Sequence, residues 1–204
     1  MIKTDQAREI REFWFGRLPL TAEALERRMQ LWFGGAGPPK TEAARDRLIR
    51  TRFAALVAQA ARGELDAWAA SPRRRLSLII LTDQFPRQIY RGTAQAFATD
   101  ARALALAVTG MQSGADAALD CAERIFFYMP LQHAESREVQ EESVAAYRRL
   151  KEEAPAELRA ALGGTLEHAL EHRAIIERFG RFPARNAALG RTSTPEELEF
   201  LRGA

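Results

Sequence analysis

Cysteine is almost missing from this chain of 204 residues; Cys121 stands alone. No disulfide can form within it, which fits a reducing cytosol. Long apolar runs are missing too. The longest, Ile125 to Leu131, is broken by Pro130 and falls far short of the roughly 18 residues a membrane span needs. Residues 1–11 alternate charges with small side chains and lack the apolar centre of a secretory signal. These absences predict a cytoplasmic protein with no membrane segment. Strand signals are equally scarce, with no sustained alternation and no Asn-Gly or Asp-Gly hairpin turn. No recognisable nucleophile motif occurs, and Ser136 and Cys121 lack a convincing context.

What is present is a sequence for helices and a core. The apolar share of 47% argues against disorder. A chain of this length hides about 70% of its unfolded surface without metal or disulfide staples, so residues 1–204 read as one domain. Predicted helices run from Asp5 to Phe15, stopping at Gly16, and from Thr21 to Gly34. After a loop at Gly34–Pro39, Thr41 caps a long helix with Leu48, Phe53, Leu56, Val57 and Ala60 inward, closed by Gly63. Ser71 is a capping candidate with Pro72 at the first helical position. The helix they open is apolar nearly all round, hence central, and Pro86 ends it. Further helices are predicted at 99–112, 116–128, 136–151 and 165–179. The last opens on a Thr194–Glu197 capping box. The fold class is all-α, about nine helices arranged as stacked hairpins or an irregular bundle.

The charge is nearly balanced at +3, but of 30 basic residues three are lysine and the remaining 27 arginine. Arginine binds carboxylates and phosphates bidentately. Acidic residues are interspersed throughout, and the densest basic run is only Arg73 to Arg75, which argues against nucleic acid as a partner.

Three stretches carry more polar and aromatic residues than packing requires. In the first, Asp83 to Gln88 and on to Arg91, Asp83 continues the stripe of Leu76, Ile79 and Ile80 and should be buried. It then needs a cationic or amide partner, for structure or for function. In the second, 126–135, His133 and Glu135 follow a buried helix end. They are candidates for an acid–base pair, or else for a helix cap and its neighbour. The third, 178–191, holds four arginines, Arg178, Arg181, Arg185 and Arg191, with Asn186 among them. Phe182-Pro183-Ala184-Arg185 echoes Phe85-Pro86-Arg87: a ring to wedge into the core, a proline, then an arginine steered outward. Those arginines could equally serve carbonyls at helix ends.

His168-Ala169-Leu170-Glu171-His172 matches a short zinc-protease pattern, but no third protein ligand is evident. No metal and no cofactor are expected.

Trp32-Phe33-Gly34, Leu65-Asp66-Ala67-Trp68, Asp83 to Arg87 and Thr194-Pro195-Glu196-Glu197 together resemble the signatures of a bacterial family, domain of unknown function 924. The resemblance implies an all-α, tetratricopeptide-like fold and supplies no activity. Against that pattern, Gln88, Ala134 and Ala184 stand where asparagine, serine and histidine are expected. The leading functional expectation is a binding module for an anionic small molecule or peptide, using Arg87, Arg91, Arg181, Arg185 and Asn186. The alternative is a hydrolase or transferase using His133, Glu135, His172 and Asp83. Nucleic-acid binding ranks third.

Overall fold

A computed structural model describes residues 5–33 and 39–203, the side chains of residues 39–41 excepted. The elements are α1 (Gln6–Phe15), α2 (Ala22–Phe33), α3 (Pro39–Ala61), α4 (Pro72–Ile79), α5 (Phe85–Ile89), α6 (Asp100–Gln112), α7 (Cys121–Gln132), α8 (Arg137–Glu153), α9 (Arg159–Phe179) and α10 (Pro195–Gly203). Short 3₁₀ turns join several of them, and no strand occurs among the described residues. The fold is all-α. Since a π turn welds α4 to α5, the described residues form nine helical rods.

The rod of α4 and α5 is the axis. It packs against α1, α3, α6 and α7, while α7, α8 and α9 pack in succession beside it. Its composition explains the position: Leu76, Leu78, Ile79, Ile80 and Leu81 are fully buried, which leaves no face for water. Phe85 extends this core, 5.0 Å from the Phe53 ring and 5.6 Å from Trp14, which in turn meets Phe126 at 5.3 Å.

Several local signals act as expected. Thr194 and Glu197 exchange both bonds of a capping box, and Ser136 Oγ accepts from the Val139 N–H. Gly16 and Gly63 take positive φ where their helices stop, as a missing Cβ permits.

Other expectations are corrected. Ser71 makes no side-chain cap bond, although Pro72 does open α4. Leu48 is 47% exposed and Ile49 takes its inward place, since the buried stripe runs 49, 53, 56, 57, 60. The loop at 34–38 lies outside the described residues, and Pro39 already belongs to α3. The helix anticipated from Thr165 begins at Arg159, so Gly163 and Gly164 lie inside α9. Packing against α8 outweighs their cost of about 1 kcal/mol each. The helix anticipated at 116 begins at Cys121, where Asp120 and Glu123 form a capping box.

Pro86 does not end its helix. A proline inside a helix removes one N–H and crowds the carbonyl four residues back. Here the ladder widens instead: the Phe85 N–H donates to the Ile80 carbonyl, five residues earlier, within a π turn spanning Ile80–Gln84. The Thr82 carbonyl, which Pro86 cannot serve, accepts from Thr99 Oγ1 at 2.6 Å. A π turn inserts a residue and redirects the side chains around it. Asp83 lies inside this one.

Candidate functional site

Asp83 is fully buried and densely served. Its Oδ1 accepts from His133 Nδ1 at 2.7 Å and lies 3.2 Å from an Arg87 nitrogen; its Oδ2 accepts from Gln84 Nε2 at 2.6 Å. Burial alone would push this carboxyl up, but Arg87 and His133 hold it well below the usual carboxylate range. Asp83 is therefore ionised and can only accept. His133 Nδ1 must carry the proton, which leaves Nε2 as an acceptor. Burial and the Arg87 charge lower the His133 pKa against the pull of Asp83, so the imidazole is neutral near pH 7.

Arg87 also reaches Asp100, the first residue of α6, with its Nη2 2.9 Å from Oδ2. Arg185 arrives from the other Phe-Pro turn and donates to the same Asp100 oxygen at 3.2 Å. It also donates to the His133 carbonyl at 2.9 Å. Phe97 fixes both guanidiniums, with Arg87 5.6 Å and Arg185 4.9 Å from its ring centre. Arg185 additionally lies 4.6 Å over Phe182, whose other neighbour is His172 at 5.3 Å. The His133 and His172 rings stand 6.3 Å apart. Burial, then the nearby His133, pushes the His172 pKa down to about 4.

The cluster thus holds two cations, two carboxylates and two neutral imidazoles. Burial pushes the Asp100 carboxyl up, in part offset by Arg87, and its Oδ1 is buried with no hydrogen-bond partner among the described residues. His172 Nδ1 is likewise unpartnered there. Such concentrated polar capacity, stacked on aromatic rings, can hold an anionic group or orient an imidazole for proton transfer.

Not every candidate joins the cluster. Glu135 does not meet the His133 ring; it accepts from the Phe182 N–H at 2.8 Å and pairs with Arg191 at 2.7 Å. It anchors the turn that delivers Arg185. Arg91 binds Asp46 and Glu42 on α3, each at 2.9 Å. Arg181 grips Glu197 at 2.6 Å, and Asn186 donates to that same carboxylate at 3.2 Å. These contacts fasten α10 to the preceding turn. His168 is exposed and bonds Glu171 at 3.0 Å, while His172 faces His133. No three His, Cys, Asp or Glu among the described residues gather as metal ligands do.

Asp100 and Phe97 escaped the sequence reading. An acid in the first helical turn is the ordinary complement to a helix dipole, so Asp100 carried no distinguishing mark. Phe97 looks like any core ring. Only the fold brings the two Phe-Pro arginines to one carboxylate.

Fold and site together define an all-α domain with a guanidinium–carboxylate–imidazole cluster set around a proline-containing π turn. The chain belongs to the bacterial family of unknown function DUF924, whose pattern spans residues 10–204. It is also similar to a solved protein of unknown function from Agrobacterium tumefaciens, at 38% identity and a TM-score of 0.70, covering 90% of this chain and 99% of that one. Among curated proteins, none matches.

Proposed function

We propose that the cluster is the recognition site of a cytoplasmic, tetratricopeptide-like binding module for a small molecule or peptide bearing a carboxylate or phosphate. One observation carries this reading: Arg87 and Arg185, nearly a hundred residues apart, converge on a single carboxylate oxygen, Asp100 Oδ2. Guanidiniums stacked on rings have little freedom left to lose, and charge-assisted bonds contribute about 1.5–3 kcal/mol each. Asp100 is the resident anion. An incoming anion competes with it for the two guanidiniums.

The test is isothermal titration with inorganic phosphate and with succinate. Arg87→Gln and Arg185→Gln should each weaken binding at least tenfold, increasingly so at low salt. Asp100→Asn should tighten it by removing the internal competitor. Unchanged affinity in all three variants, or none in the parent, would refute the proposal.

A second reading is acid–base catalysis. The 2.7 Å contact from His133 Nδ1 to Asp83 favours it, because a buried carboxylate that fixes the tautomer is how histidine bases are commonly oriented. Turnover of carboxylate or phosphate esters by the parent, abolished in His133→Gln with anion affinity retained, would select this reading.

A further inference from the structure

A cavity lies away from that cluster, between the end of α1, the turn that follows it and α2. Its volume is about 430 Å³, within the ordinary range for small-molecule sites. Phe15, Leu20 and Leu31 supply its apolar wall, and Arg17, Arg27 and Arg28 its polar groups. Among the described residues no carboxylate lines it. Leu31 is 46% exposed on this wall.

The arginines differ in how they are answered. Arg27 pairs with Glu23. Neither Arg17 nor Arg28 has an ion-pair partner among the described residues, and no Asp or Glu of the sequence lies outside them. Arg28 is nonetheless half-buried. Arg11, Arg87, Arg124 and Arg185, also partly buried, each meet a carboxylate, while Arg75, which does not, is answered by the Leu106 carbonyl and the Thr109 hydroxyl. Among the described residues Arg28 makes one hydrogen bond, to the Trp14 carbonyl at 3.2 Å, and burial lowers its pKa with no acid to oppose the loss of water.

Its position is also built. Gly16 has φ +74°, and a Cβ there would overlap Arg28 Nη2, so the guanidinium tip approaches a backbone position that glycine leaves open. A half-desolvated cation, held in place and facing an apolar cavity without an acid, is complementary to an anion with an apolar body.

We propose that this cavity binds an amphipathic monocarboxylate, an acyl or aryl chain lying along Leu20, Ala24 and Leu31 with its carboxylate on Arg28 and Arg17. The site is separate from the Arg87–Arg185 cluster. Either can fail without the other.

The experiment titrates the full chain with decanoate, followed by calorimetry, and repeats it with decanol and with decyltrimethylammonium. One saturable site for decanoate is expected, with both analogues at least tenfold weaker. Arg28→Gln, Arg17→Gln and Leu31→Asp should each raise the Kd at least tenfold, and Arg185→Gln should leave it unchanged. Loss of the Trp14 contact could unfold Arg28→Gln, in which case the exposed Arg17→Gln and Leu31→Asp carry the test. The proposal falls if the parent does not bind decanoate or binds decanol equally well. It falls too if Arg17→Gln and Leu31→Asp retain affinity, or if Arg185→Gln removes it.

Discussion

Asp83 and Asp100 answer the same arginine but should respond differently to loss of charge. Asp83 is fully buried, and its two oxygens serve three groups. Asparagine there keeps the shape but leaves a buried cation undercompensated and offers His133 a poorer acceptor. Asp83→Asn should cost about 3 kcal/mol, read as a lowered urea midpoint. The Asp100 side chain is 20% exposed, and burial already favours its protonated form. Asp100→Asn should cost less than about 1 kcal/mol, because water and the remaining Asp83 charge still serve Arg87. Equal costs for the two would mean that burial does not govern the cluster.

At the scale of the element, the π turn makes the site possible. Pro86 withholds an N–H, the ladder widens, and Thr99 supplies the missing donor to Thr82 at 2.6 Å. Thr99→Val keeps the shape and removes that donor, leaving a buried carbonyl unsatisfied. It should destabilise by about 1–2 kcal/mol, while Thr99→Ser should be nearly neutral. A thermal melt of the pair checks this. The same turn shows where sequence reading reached and where it stopped. The burial of Asp83 followed from its spacing to Leu76, Ile79 and Ile80, and the kinship of the two Phe-Pro turns was visible as a local pattern. Proline read as a terminator hid the continuation to Ile89, because the compensating hydroxyl lies 17 residues beyond the Thr82 carbonyl it serves. The pairing of His133 with Asp83 rather than Glu135 spans 50 residues. Local signals carry no information about such partners, whereas a capping box, complete within four residues, was legible at Thr194 and Glu197.

For the whole molecule, these groups make folding depend on pH in a definite direction. His172 is held neutral down to about pH 4 in the folded chain, against an ordinary histidine value near 6.5. Between those values the unfolded chain binds the extra proton, so stability falls as pH falls. His133 is shifted the same way. Further down, Asp83 and Glu135 are depressed, the latter against burial by Arg191, and Glu197 is lowered to about 2 by Arg181. Their stabilisation is present above the ordinary carboxylate range and lost as pH drops through the folded values. Asp100, shifted upward, opposes this in part. Because Glu135 fastens the turn at 182–191 to the body and Glu197 fastens α10 to that turn, acid should free the segment that carries Arg185. The thermal midpoint should decline gently from pH 6.5 to 4 and more steeply below. His172→Phe keeps an aromatic neighbour for Phe182 and removes one titration, so it should flatten the upper decline, a difference of at most about 3 kcal/mol between its two ends. A parent whose midpoint is constant from pH 6.5 to 4, or a His172→Phe profile parallel to the parent's, would mean that His172 is protonated at no cost to the fold.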